Sequence, residues 1–173
     1  MADHGRSGGE PRAKVIYGIH LTDVADPAVR EAIVSPLLTY NEAKTGRNDF
    51  RLLILTLTDS NGRVVGGLWG RTVYDWLFIE LLVVPESMRG QGIGTELMGL
   101  AEREAVARGC RNAWLDTFEF QARPFYERLG YSCFAELADY PPGFSRYFLK
   151  KALSNVMWAS SSSGSKGSSS TAG

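Results

Sequence analysis

The sequence predicts one mixed α/β domain of the α+β kind, a central mixed β-sheet of about six or seven strands flanked by helices. Three observations lead there. Apolar strand-like runs and amphipathic segments succeed one another as strands, a hairpin, then β-α-β-α-β-β, an order that buries a sheet between helical layers. The stretch Arg89-Gly90-Gln91-Gly92-Ile93-Gly94 joins an apolar run over 78–84 to an amphipathic segment over 93–108, which reads as strand, glycine turn, helix. With 173 residues, 44% hydrophobic and 22% charged, the chain has material for one core and is too short for two ordinary domains.

Element by element, residues 14–21 alternate as a strand, and 27–44 form a helical region with a potential break at Pro36. Strands follow over 51–58 and 64–73, joined by Asp59-Ser60-Asn61-Gly62, a hairpin signal. The apolar run over 78–84 is closed by Pro85. In the next helix Ile93, Leu97, Leu100, Ala101 and Ala105 recur at three- and four-residue intervals while Glu102, Arg103 and Arg108 fall elsewhere, so one face packs on the sheet. A strand over 112–118 precedes a short helix around Tyr126, begun by Pro124 in its first turn and stopped by Gly130. Strands over 132–137 and 145–150 close the sheet. The polar, glycine-rich residues 1–12 are expected to be flexible, the folded domain to span 13–153, and the serine-glycine stretch 159–173 to form a disordered tail that cannot offset its chain entropy.

Composition bounds function. Nineteen basic and nineteen acidic residues cancel, so no global field favours nucleic acid or an acidic membrane. No signal peptide or span-length apolar run is present, and the cytoplasm is the expected compartment. Cys110 and Cys133 lack metal-ligand spacing, and with His4 and His20 as the two histidines no zinc set forms. No metal is expected, and both cysteines read as packing residues. The glycine turn is suited to an anion: glycines let backbone N–H groups approach a ligand, the first N–H groups of a helix are unpaired, and Arg89 adds charge. A Walker loop would need Gly-Lys-Ser/Thr at its end, and the third small residue of a dinucleotide fingerprint is missing.

Arg89-x-x-Gly92-x-Gly94 instead resembles the motif of the GNAT superfamily of acyl-coenzyme A dependent N-acyltransferases. A second segment, Ala122-Arg123-Pro124-Phe125-Tyr126-Glu127-Arg128-Leu129-Gly130-Tyr131, is similar to that superfamily's Ala-x-x-Phe-Tyr-x-Arg/Lys-x-Gly-Phe/Tyr signature. The resemblance covers roughly residues 14–153 and implies acetyl-coenzyme A as co-substrate. It implies a coenzyme site built from Leu82, Val83 and Val84 on the fourth strand, and from Arg89, Gly90, Gln91, Gly92, Ile93, Gly94 and Thr95. It also implies that the fourth and fifth strands splay to admit the pantetheine arm. Many members carry an asparagine three residues before the signature alanine, where this chain has Glu119, so that coenzyme contact is altered. The step from Pro85 to Arg89 is one residue longer than the common spacing.

The chemistry adds candidates. An alkyl ammonium of pKa ~10.4 must lose a proton before it attacks a thioester, at about 4.6 kcal/mol at pH 7. Glu80, two residues before Leu82 and four before Val84 and so expected on their strand face, is the candidate base, with Asp116 and Glu119 as competitors. The leaving thiolate needs a proton, and the resemblance implies Tyr126 as general acid, a group protonated at neutral pH. Tyr40, Trp69, Tyr74, Trp76 and Tyr140, with Asp75, Asp116 and Asp139, are candidate liners of a site for a cationic amine. The activity this implies is acetyl transfer to the primary amine of a small molecule in a ternary complex, without nucleic acid or membrane. A protein lysine or N-terminal amine as acceptor, a non-catalytic acyl-coenzyme A-binding module, and a homodimer all stay open.

Overall fold

The computed structural model describes residues 17–153; the segments 1–12 and 159–173 lie outside the described residues, as do residues 14–16. The chain divides after Gly46 into two units. In the first, residues 17–26 have no regular structure and α1 spans Pro27–Thr45. The strand expected over 14–21 is therefore not formed at 17–21. Alternation supplies a face but not a partner, and no ladder among the described residues includes this segment. Asp26 caps α1, its Oδ1 accepting from the Ala28 N–H at 2.8 Å, and Pro27 occupies the first turn, where its missing N–H is harmless. Pro36 does not break α1: the helix runs through it. Two well-formed ends hold the intervening turns despite the lost hydrogen bond.

The second unit is a six-stranded sheet of β1 (Arg51–Thr58), β2 (Val64–Val73), β3 (Trp76–Val83), β4 (Asn112–Phe118), β5 (Ser132–Leu137) and β6 (Arg146–Ala152), in the order β1-β2-β3-β4-β6-β5. Only β3 and β4 are parallel among these neighbours. The crossover between them is α2 (Ile93–Ala107), preceded by a 3₁₀ turn over Glu86–Met88 that fills the step from Pro85 to Arg89. α3 (Arg123–Arg128) links β4 to β5. On β4 the odd positions Ala113, Leu115 and Thr117 are buried, and Ala113 and Leu115 join Leu77 and Ile79 of β3, Met98, Ala101 and Ala105 of α2, and Tyr126 of α3 in one core. Cys110 belongs to that core, whereas Cys133 is exposed. The packing role expected of Cys133 fails because every residue of the edge strand β5 is exposed.

Two departures from regular pairing make the site. On β3 the register against β2 slips by one residue: Gly70 faces Ile79 but Trp69 faces Leu81, leaving Glu80 as a bulge. Beyond it Leu82 pairs with the buried Leu68 and turns into the core. Glu80 therefore does not share the face of Leu82, contrary to simple alternation; it stays on the face of Arg71 and Phe78. The second departure is that β3 and β4 pair from Trp76↔Asn112 to Ile79↔Leu115 and no further. Past that point the strands part.

Candidate active site

The gap between the parted strands opens into a cleft of about 770 Å³, a size usual for small-molecule sites. Its walls are residues 79–84 of the β3 side and Leu115, Asp116 and Thr117 of β4, and its floor is the glycine turn, the start of α2 and the face of α3. Of the expected coenzyme contacts, Leu82, Val83, Val84, Arg89, Gly90, Gly92, Ile93, Gly94 and Thr95 all border it. Gln91 does not. Its side-chain amide donates to the Ser87 carbonyl at 3.3 Å, steadying the turn from behind. Glu119 does not border it either, because its Oε2 accepts from the Ser145 N–H at 3.0 Å and is committed to the β5–β6 loop.

The turn presents backbone donors. Gly92 is the N-cap of α2 with φ of 80°, a left-handed conformation that favours glycine, and no side chain caps the helix. The first intrahelical bond is Glu96 N–H to Gly92 C=O at 3.0 Å, so the N–H groups of Ile93, Gly94 and Thr95, which border the cleft, have no intrahelical partner. Arg89 is drawn against the strand end, its Nε donating to the Val84 carbonyl at 3.2 Å. At Gly94 a Cβ would come within 3.2 Å of the Phe125 ring, so a missing side chain there lets α3 pack on α2.

Tyr126 is the buried residue of α3, 8% exposed, with its ring edge-on to Phe125 and Tyr131. Burial pushes its pKa up to about 12, and the negative charge of Asp116 adds to the shift, so the phenol is a held proton at neutral pH. Asp116 is gripped by Arg146, whose Nε and Nη2 approach Oδ2 at 2.7 and 2.6 Å. Glu80 borders the cleft about half exposed, with Oε2 accepting from Arg71 Nη1 at 3.0 Å. The Arg71 guanidinium lies 4.5 Å from the centre of the Phe78 ring.

The acceptor liners fare less well. Tyr74 sits in the turn between β2 and β3, at the far end of β3 from the cleft; five residues at ~3.3 Å each put it roughly 16 Å from Ile79, where the cleft begins. Asp75 is in the same turn and is paired with Arg111. Trp76 begins β3 at that end. Trp69 is opposite Leu81 on β2, one strand removed from the cleft. Tyr40 lies exposed on α1, in the other unit. Tyr140 stands beside the site, edge-on to Phe118 at 6.0 Å. Asp139 Oδ1 closes its own loop by accepting from the Gly143 N–H. Sequence reasoning missed Phe120, which borders the cleft, stacks on Phe118 and meets Phe144 edge-on at 5.1 Å. It also missed Gln121, whose Oε1 accepts from Phe118 N–H and Thr117 Oγ1 while its amide nitrogen stays available at the cleft. Neither has a pattern that marks it; both are set by the turn after β4. Among the described residues no group of three or more His, Cys, Asp or Glu could hold a metal, and no helix is long and apolar enough to cross a membrane.

Residues 22–131 match the profile of the acetyltransferase (GNAT) family, which spans the glycine turn, the parted strands and Tyr126. The chain belongs to that family. An acetyltransferase of Agrobacterium fabrum is 44% identical over 131 residues, 76% of this chain and 96% of the relative. Blasticidin-S acetyltransferase of Streptomyces morookaense is 41% identical over 93 residues, 53% of this chain and 68% of that one. A solved structure from Agrobacterium tumefaciens, described as an acetyltransferase, superimposes with a TM-score of 0.74 at 42% identity, over 79% of this chain and 99% of its own. This GNAT protein is accordingly an acetyltransferase that uses acetyl-coenzyme A, as the family's fold does.

Proposed function

We propose that this GNAT protein transfers the acetyl group of acetyl-coenzyme A to the primary amine of a small molecule, by direct attack within a ternary complex. The observation that carries the reading is the meeting of an anion-suited turn and a buried, protonated tyrosine in the gap between β3 and β4. Backbone N–H groups from Gly90 to Thr95 would hold the pyrophosphate, as the uncapped helix start supports, with the Arg89 N–H kept by the Glu86 carbonyl at 3.2 Å. The edges of β3 and β4 beyond Ile79 and Leu115 have no partner in each other, and they leave backbone groups to pair with the amides of the pantetheine arm.

The two carboxylates divide the work. Asp116, held by Arg146, sits near Tyr126 and keeps its proton on the oxygen. Glu80 has a less enclosed carboxylate with one oxygen left by Arg71, and it is the group that takes the acceptor's proton, directly or through water. Forming the C–N bond breaks the C–S bond, and the departing thiolate receives the Tyr126 proton. Exposed Phe120, Tyr140 and Phe144 gather around the half-buried Phe118 as an aromatic rim two residues on from Asp116, which suits a compact organic amine more than a long charged peptide.

The test is an amine panel assayed by release of free thiol from acetyl-coenzyme A. It includes aminosugars, nucleoside and aromatic amines, a lysine peptide and a free peptide N-terminus. Turnover with small amines at kcat/KM at least tenfold above the peptides supports the reading. Preference for a peptide overturns the acceptor class, and tight acetyl-coenzyme A binding without release for any acceptor reduces the protein to a binding module.

A further inference from the structure

A cluster of three polar side chains, none of which borders the cleft, reaches Tyr126 through the ring of Tyr131. Glu102 of α2 and Lys151 of β6 are joined at 2.6 Å between Oε2 and Nζ, and their side chains are only 17% and 25% exposed. The Lys151 ammonium lies 5.5 Å from the centre of the Tyr131 ring. Tyr131 is 3% exposed, and its Oη and the Glu102 Oε1 are both buried with no partner in ordinary hydrogen-bond geometry. Burial raises the Tyr131 pKa most, and the charge of the nearby Glu102 carboxylate raises it further. The phenol is thus a neutral donor with no partner of its own, and the carboxylate joined to Lys151 beside its ring has an acceptor to spare.

Tyr131 in turn grips the end of α3. Its N–H donates to the Tyr126 carbonyl at 3.1 Å, and the two rings meet edge-on with centres 6.2 Å apart. α3 has six residues and no side-chain cap, too short to hold a side chain still by its own hydrogen bonds. A phenylalanine at 131 would pack as well and would bury no hydroxyl, so pure packing does not account for a phenol beside a carboxylate. We propose that Tyr131, anchored by Glu102 and Lys151, is a positioning residue that fixes the ring of Tyr126 at the distance needed to protonate the leaving thiolate.

The inference rests on the reading of Tyr126 as general acid, and a double-mutant cycle separates the two. Tyr131→Phe should lower kcat about tenfold while the Kd for acetyl-coenzyme A stays within twofold, since placement of an acid affects the transition state and not ground-state binding. In a Tyr126→Phe background the same change should cost no further kcat, although it lowers Tm equally in both. Glu102→Gln, which can still accept from the phenol, should keep more of kcat than Glu102→Ala; this pair carries the test if Tyr131→Phe folds poorly. Wild-type kcat in Tyr131→Phe overturns the inference and leaves Tyr126 in place, as does an equal kcat loss in both backgrounds. Wild-type kcat in Tyr126→Phe overturns the general acid, and this inference with it.

Discussion

A Cβ on Gly92 would meet no protein atom within 4 Å, so the glycine there answers to conformation and to whatever approaches the turn. Gly92→Ala should strain the left-handed residue by about 1–2 kcal/mol and lower Tm by a few degrees without unfolding the domain. It should also weaken acetyl-coenzyme A binding at least ~10-fold in calorimetric titration, because the new methyl projects toward the phosphates. Unchanged affinity removes the turn from the coenzyme site. Tyr126→Phe keeps the ring packing and removes the proton, so kcat should fall ~10²-fold with binding nearly intact. A kcat equal to wild type in single-turnover kinetics shows that the hydroxyl is not the donor. Both residues were legible because their signals are local: a turn and a short helix bring their own glycines and proline. The acceptor wall was not. Tyr74 and Phe120 are equally aromatic in sequence, and only the direction of β3 separates a residue far from the cleft from one at its edge.

At the level of elements, β1, β2 and β4 begin and end where propensity and alternation put them, since each lies between strong turn residues. The bulge was invisible, because an extra residue in an apolar run changes neither composition nor hydrophobicity; its effect is on phase. It carries a prediction of its own. Deleting Glu80 would restore regular pairing of Trp69, Leu68 and Gly67 with the rest of β3 and leave Leu82 facing the core, so Tm should hold or rise. The kink that helps part β3 from β4 would be removed, and acetyl-coenzyme A affinity should drop at least ~10-fold, whereas Glu80→Ala, which keeps the kink, should bind normally. If the deletion binds as well as the substitution, the bulge does not shape the cleft. The turn after β4 gives a parallel case. Gln121→Ala strips the Phe118 N–H of its acceptor and should destabilise the domain by about 1–2 kcal/mol in urea titration. No loss would mean that the turn is held by its backbone bonds alone.

For the whole molecule, the strand order β4-β6-β5 was beyond the sequence, since a hairpin of β5 and β6 can join the sheet by either of its strands, and pairing alone decides it. That arrangement sets β6 against β4 and encloses both Tyr126 and Tyr131 between sheet and helices, and a response of the folded state to alkali follows. Each phenol is held neutral by burial, with Asp116 adding to the shift at Tyr126 and Glu102 at Tyr131. A tyrosine in the unfolded chain titrates near ~10, while Tyr126 in the folded chain is pushed up to about 12. Between those values the folded state binds more protons than the unfolded one, so stability falls as pH rises. The contribution is complete below pH ~10 and lost as pH passes the folded value; for Tyr126 alone a shift of this size corresponds to about 2–3 kcal/mol. Tm should therefore be flat through pH 8–9.5 and decline steeply above pH ~10, with phenolate absorbance of these two residues appearing only as the protein unfolds. Tyr126→Phe should shallow that decline and Tyr126→Phe with Tyr131→Phe should shallow it further, whereas Tyr140→Phe, at an exposed residue, should not. A wild-type slope in the double variant would mean that the alkaline transition belongs to other groups, and that the two phenols are not sealed as the fold implies.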